Sequence, residues 1–257
     1  MIICLDVGNT HIFGGVFENN KYILTFRIDT HSGITSDQFG VFLKNVLREN
    51  NIDPDKTQNI SIGSVVPSID YSLRSACIKY FDINPFFLKA GVRTGLMIKY
   101  YNPSEVGADR IANAIAAVEQ FPDKDIIIAD FGTATVFCAV TATKEYLGGA
   151  ILPGMRLSME ALHKNTAKLS AVEILRPNHP IGKSTTESIQ SGIYLNQIGA
   201  MREFLFRCKE NNYFSENPLI IGTGGFSHLF EEEKLFHAII PNLALHGLRL
   251  ALEKNTI

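Results

Sequence analysis

Two short segments of this 257-residue chain bring together a carboxylate, a glycine and a small hydroxyl side chain: Asp6-Val7-Gly8-Asn9-Thr10 and Asp130-Phe131-Gly132-Thr133. Each follows a short apolar run, Ile2 to Leu5 in one and Ile126 to Ala129 in the other, so each acid stands at the end of an expected buried strand. Glycine there leaves backbone N–H groups bare enough to approach a phosphate closely, with a hydroxyl beside them. The carboxylate suits a cation, and Mg²⁺ in particular takes oxygen ligands while keeping several waters. The same residues also suit plain hairpin turns, in which Asp and Asn bond their own backbone.

A third segment, Gly107-Ala108-Asp109-Arg110, sits where a loop becomes a helix with the apolar stripe Ile111, Ala114, Ile115 and Val118. The helix dipole holds an acid in the first turn ionised, the form that accepts an alcohol proton; an acid there also serves helix stability alone. Tyr100-Tyr101-Asn102-Pro103 places an aromatic wall, or plain packing, just before it. Gly224-Gly225, after the apolar run Leu219 to Ile221, lets a flat or anionic group come close to the backbone. Two other motifs fail on context. Asp130-Phe131-Gly132 spells the magnesium triplet of protein kinases, but no H-R-D-x-x-x-x-N precedes it and a strand follows it. Gly182-Lys183-Ser184 spells the end of a P-loop, yet Pro177 stands where the leading glycine belongs.

The elements that must hold these residues read as alternating strands and helices. Strands are expected over Ile2–Leu5, Ile12–Phe17 and Tyr22–Ile28, then a helix from Ser36 as N-cap, with Phe39, Phe42, Leu43, Val46 and Leu47 on one stripe. Ile60–Val66 forms a strand ended by Pro67, followed by a helix over Ile69–Tyr80, a short strand near Pro85–Leu88 and a helix over Arg110–Phe121. From Asp125 the pattern of strand, acid-glycine turn and strand repeats, with Val136–Val140 matching Ile12–Phe17, which is a duplication signal. Gly148-Gly149 and Pro153-Gly154 read as turns, and helices are expected over Met155–Lys164, from the capping-box spacing Ser184-Thr185-Thr186-Glu187 onward, and over Pro241–Lys254. The fold class is therefore α/β, as two related lobes spanning 1–118 and 119–257 with a ligand cleft between them.

Composition narrows the partners. Hydrophobic residues make up 46% and charged residues 19%, which excludes disordered and fibrous chains. With 24 Lys+Arg against 26 Asp+Glu the net charge is -2, and no basic block offers a nucleic-acid backbone or an anionic membrane a landing site. Cys4, Cys77, Cys138 and Cys208 form no C-x-x-C pair and read as reduced core thiols. The seven histidines show no metal-binding spacing. Neither a targeting signal nor a bilayer-spanning run is visible, so a cytoplasmic protein is expected and the Asn59-Ile60-Ser61 sequon is idle.

In order along the chain the motifs resemble those of the type III pantothenate kinases, of the acetate and sugar kinase, Hsp70 and actin superfamily. The matching stretches are Asp6 to Thr10, Gly107 to Arg110, Asp130 to Thr135, Gly148 to Gly154, Thr166-Ala167-Lys168-Leu169, Ile181 to Thr185 and Thr223-Gly224-Gly225. The resemblance implies duplicated actin-like (ribonuclease H-like) lobes and ATP-dependent phosphorylation of pantothenate, the first step of coenzyme A biosynthesis. It implies that Asp6, Val7, Gly8, Asn9, Thr10, His11, Ile12 and Phe13 form the first ATP phosphate turn and that Thr133 contributes from the second lobe. It further implies Asp109 as catalytic base and Tyr101, Gly107, Ala108, Asp109, Arg110 and Thr185 around pantothenate. Asp130 matches the ligand of a monovalent cation, K⁺ or NH₄⁺, required besides Mg²⁺, and a homodimer is implied. Phe226-Ser227 and Asn242 depart from the expected pattern on the adenine side. Two rivals are a kinase of the same fold acting on a sugar or an acid, and a non-catalytic nucleotide-binding regulator.

Overall fold

Apolar residues at the N-terminus make the first strand of a sheet buried on both faces, and that burial fixes its neighbours. The computed structural model describes residues 1–214 and 217–256. Its strand β1 (Ile2–Val7) pairs antiparallel with β2 (His11–Glu18), which pairs antiparallel with β3 (Lys21–Asp29). After α1 (Ser36–Glu49), β4 (Asn59–Ser64) returns parallel to β1, and after α2 (Pro67–Phe81) β5 (Phe86–Leu88) lies parallel to β4. The sheet order is β3-β2-β1-β4-β5. Ile3, Leu5, Val7, Ile60 and Ile62 bury one face of it against Phe39, Leu43 and Leu47 of α1 and Ile69 and Leu73 of α2.

The chain then runs through β6 (Met97–Ile98) and α3 (Ala108–Gln120) into β7 (Ile126–Phe131), β8 (Ala134–Val140) and β9 (Glu145–Pro153). The remaining elements are α4 (Met155–Asn165), the long α5 (Thr185–Glu210), β10 (Leu219–Thr223), β11 (Ala238–Ile239) and α6 (Leu243–Asn255). The second sheet has the order β11-β10-β7-β8-β9-β6. Taken from β9, its run β9-β8-β7-β10-β11 repeats β3-β2-β1-β4-β5, with the same two antiparallel and two parallel pairings. The expected duplication is therefore present strand for strand, with β6 added at one edge. Its core joins Phe131 and Phe137 to Ile193, Ile198 and Met201 of α5 and to Phe230.

Contacts divide the chain into two compact units: Met1–Gly95 with Tyr101–Ala116 and the segment from Ala244 onward, and Leu96–Tyr100 with Ala117–Leu243. The last helix differs from expectation, since α6 belongs with the first unit. Ser61 on β4 donates its hydroxyl to the Leu248 carbonyl at 2.8 Å, and Gly247 lies against the Ala112 backbone.

Local expectations fared unevenly. The α1 N-cap is Thr35, one residue earlier than Ser36, because Thr35 and Gln38 cap each other reciprocally. Pro67 opens α2 at its first position, where its missing N–H has no partner to lose. Gly148 and Gly149 lie inside β9 and make no turn, and β6 and β11 were not anticipated. All four cysteines are buried outside any disulfide, and burial pushes the Cys77 thiol up to about 12. Among the described residues no helix is long and apolar enough to cross a membrane.

Candidate active site

The first acid-glycine turn joins β1 to β2. The Gly8 N–H donates to the His11 carbonyl at 3.0 Å, the Thr30 hydroxyl donates to the Gly8 carbonyl at 2.7 Å, and the Thr30 N–H donates to the Thr10 carbonyl at 2.9 Å. The loop is thus held from behind by the end of β3, and Asn9 stays exposed at its tip. Val7 and Ile12 are completely buried in the core, so their side chains pack the sheet and do not reach a ligand. The Phe13 ring carries the Arg27 guanidinium 4.1 Å above it, and His11 Nε2 lies 3.3 Å from the Asp29 carboxylate.

Asp109 stands in the first turn of α3. Gly107 opens that helix by accepting the Ile111 N–H at 3.1 Å, and Asp109 Oδ1 accepts the Arg110 N–H at 2.8 Å. A Cβ on Gly107 would lie 2.4 Å from Asp109 Oδ1 and 3.3 Å from Val65, so glycine is the residue that fits beside this carboxylate. Val65 in turn donates its N–H to the Val7 carbonyl at 3.0 Å. Asp109 and the first turn therefore share the carboxyl-terminal edge of the β1 and β4 pair, where open α/β sheets bind ligands. Sequence reasoning had no reason to single out Val65, an apolar residue between Ser64 and Val66. Ala108 and Arg110 are buried beside Asp109, whereas Tyr101 is fully exposed.

The protonation state of Asp109 departs from the dipole argument. Burial raises its pKa above the ordinary carboxylate value, and the Arg110 N–H and guanidinium offset this only partly. A carboxylate shifted that way is a stronger proton acceptor than an exposed aspartate, which suits a general base working near neutral pH.

In the second unit Asp130 pairs with Thr223 in the parallel β7–β10 register, and the turn Gly132-Thr133 closes with the Gly132 N–H on the Ala134 carbonyl at 3.1 Å. Gly154, the N-cap of α4, lies against this turn, and a Cβ there would be 2.3 Å from the Thr133 carbonyl oxygen. The sequence showed Gly154 only as a turn signal. Thr185 is exposed at the start of α5, whose N-cap Ser184 accepts the Glu187 N–H at 3.2 Å. The Glu187 carboxylate accepts the Lys183 N–H instead of returning to Ser184, so the expected capping box is half formed. Among the described residues no three acidic, histidine or cysteine side chains converge as a metal cage.

Comparison with known proteins places these features in a family. The family model described as type III pantothenate kinase matches residues 2–207. A type III pantothenate kinase of Legionella pneumophila (strain Corby) is 57% identical over 256 residues, covering 100% of both chains. Among solved structures, a 2-dehydro-3-deoxygalactonokinase homologue from Sinorhizobium meliloti superposes with a TM-score of 0.61 at 10% identity, covering 98% of this chain and 96% of the other. An archaeal actin homologue superposes with a TM-score of 0.51 at 12% identity, covering 98% and 99%. At those identities the structural likeness concerns the fold alone, which is that of duplicated actin-like lobes.

Proposed function

The chain belongs to the type III pantothenate kinases, and we propose that it carries out that family's reaction with Asp109 as the general base. The reaction is ATP-dependent phosphorylation of pantothenate to 4'-phosphopantothenate, the first step of coenzyme A biosynthesis. Its single strongest support in the site is the half-buried Asp109 carboxylate, with its raised pKa, on the same sheet edge as the Gly8 turn. In this reading the Asp109 carboxylate takes the proton of the primary hydroxyl as its oxygen attacks the γ-phosphoryl group and the bond from the γ-phosphorus to the β,γ-bridging oxygen breaks to release ADP, while Gly107, Ala108, Arg110, Tyr101 and Thr185 line the acceptor. The Asp6–Phe13 turn and Thr133 hold the phosphates through hydroxyls and turn N–H groups other than that of Gly8, which the His11 carbonyl engages, since positioning and charge stabilisation dominate phosphoryl transfer.

Divalent metal enters with ATP, and Asp6, partly exposed near the end of β1 and close to the exposed Asn9, would supply one carboxylate to it, the rest of its oxygen ligands coming from phosphate and water as Mg²⁺ takes them. Bound there, it would neutralise charge on the phosphates. We assign a monovalent cation, K⁺ or NH₄⁺, to Asp130, whose Oδ1 lies in a gap that a Cβ on Gly224 would fill. Asp130→Asn is expected to weaken activation by K⁺, and overlaid potassium titrations of variant and parent would remove the assignment. A homodimer in the cytoplasm completes the reading.

The acceptor is tested by supplying ATP and Mg²⁺ with pantothenate or with a panel of sugars and acids. Turnover with pantothenate is the expected outcome. Turnover with a sugar or an acid alone would make the chain a different kinase of this fold, and ATP binding without turnover would make it a regulator.

A further inference from the structure

We propose that Gly224 is a positioning residue that sets the direction of the Asp130 carboxylate, and that Gly154 separately sets the Gly132-Thr133 turn. The inference rests on the assignment of a monovalent cation to Asp130 and goes beyond it, by saying which remote residues govern cation and nucleotide affinity.

One residue beyond the Thr223–Asp130 pair, the chain turns through Gly224 with φ +89, and the Phe226 N–H comes back to the Phe131 carbonyl at 3.1 Å. A Cβ at Gly224 would lie 2.4 Å from Asp130 Oδ1 and 2.7 Å from both N and C of Phe131. Two of those three atoms are backbone in a central strand and have nowhere to go. A Cβ on Gly132 would stand 3.5 Å from the same Oδ1, an ordinary contact, so Gly224 is the glycine that the carboxylate needs. The oxygen therefore occupies space that only glycine at position 224 leaves open, and a side chain there would push the carboxylate into another rotamer.

Gly154 acts on the neighbouring residues by a different requirement. Its φ of -68 suits any residue, so only space demands glycine there. A Cβ would meet the carbonyl oxygens of Thr133 at 2.3 Å and Gly132 at 2.6 Å. The first turn is held differently, by the Thr30 hydroxyl on the Gly8 carbonyl and the Thr30 N–H on the Thr10 carbonyl. The duplicated turns have thus diverged: the second is wedged between Gly154 and Gly224, which lie far apart in sequence.

Residues that orient a metal ligand typically change metal affinity by about 10- to 100-fold when mutated. Gly224→Ala is accordingly expected to raise the K⁺ concentration for half-activation by about that factor, with the KM for ATP little changed. It should also abolish the rise in Tm that KCl, compared with choline chloride, gives the parent protein without substrates. Gly154→Ala is expected to do the reverse, raising the KM for ATP and leaving the K⁺ response in place. Gly224→Asn tolerates positive φ but restores the Cβ, so it should fail as Gly224→Ala does; a parental K⁺ response would mean that backbone conformation alone matters and overturn the proposal. Asp130→Glu checks the same space without touching Gly224, because an extra methylene drives the carboxylate past Gly224, and a retained K⁺ response there would also overturn it. If Asp130→Asn loses its K⁺ response while Gly224→Ala keeps it, the positioning role alone fails. If Asp130→Asn keeps it, the cation assignment itself fails and the positioning role falls with it.

Discussion

Replacing Asp109 with Asn is expected to lower kcat by about 10²- to 10⁴-fold, the usual contribution of a positioned general base, while ATP still binds and the fold is kept. The amide has the shape of the carboxylate and its oxygen can still accept the Arg110 N–H, so what disappears is the capacity to take a proton. Burial is what raises the pKa of Asp109, and it has two consequences of opposite sign. For catalysis, the acid limb of kcat against pH should lie above the range of an ordinary aspartate and vanish in Asp109→Asn. For stability, a carboxyl group whose folded pKa exceeds its unfolded one contributes most below the unfolded value, and that contribution is lost as pH rises through the folded value. Ionised Asp109 therefore weakens the empty protein at neutral pH. Asp109→Asn should melt at a higher temperature than the parent at pH 7, with the gap closing as pH falls toward the ordinary aspartate pKa. Near-parental turnover would remove Asp109 from the reaction, and a lowered Tm at pH 7 would contradict the desolvation argument.

The parts of this molecule that were legible in its sequence are those governed by local rules. The two acid-glycine turns, the strands before them and the Gly107–Arg110 helix start could be read because strand periodicity and first-turn chemistry act over a few residues. Gly148-Gly149 misled because glycine marks both turns and close strand contacts. In β9 a Cβ on Gly149 would stand 1.6 Å from the Phe137 carbonyl oxygen, so this glycine serves strand packing. Adjacent Thr35 and Ser36 are equally good caps on paper, and the reciprocal bond from Gln38 decides between them. Strands of two residues, β6 and β11, carry no periodicity at all. The destination of α6 was likewise invisible, because a helix at the end of the chain gives no local sign that it packs against β4 and α3 of the first unit. In the site, Asp109 was found by its position at a helix start, whereas Val65 and Gly154 act through contacts across long sequence separations.

That contact of α6 carries the second large effect. A Cβ built on Gly247 would stand 1.8 Å from the Ala112 carbonyl oxygen, 2.4 Å from its carbon and 2.8 Å from its Cα, all backbone atoms of α3. No rotamer change relieves such a contact, so the helices must separate. Ala108, Ala112 and Ala116 are buried along α3, and Leu248, next to Gly247, reaches within 2.8 Å of a Cβ position on Gly63 of β4. Small residues let these backbones approach closely. Gly247→Ala is therefore expected to destabilise the protein by about 1–3 kcal/mol through overpacking, and Gly247→Leu by more. Each kcal/mol corresponds to roughly 2–4 °C in Tm for a chain of this size. Gly199 in α5 is the control: nothing lies within 4 Å of its Cβ position, so Gly199→Ala should gain about 0.5–1 kcal/mol from helix propensity. The two substitutions are chemically identical, both within helices, and they should move Tm in opposite directions. Because Ala112 lies one turn beyond Asp109, Gly247→Ala should also depress kcat, while Gly199→Ala leaves it alone. A rise in Tm for Gly247→Ala matching that of Gly199→Ala would mean that α6 does not press on α3, and that Asp109 is held in place by other contacts.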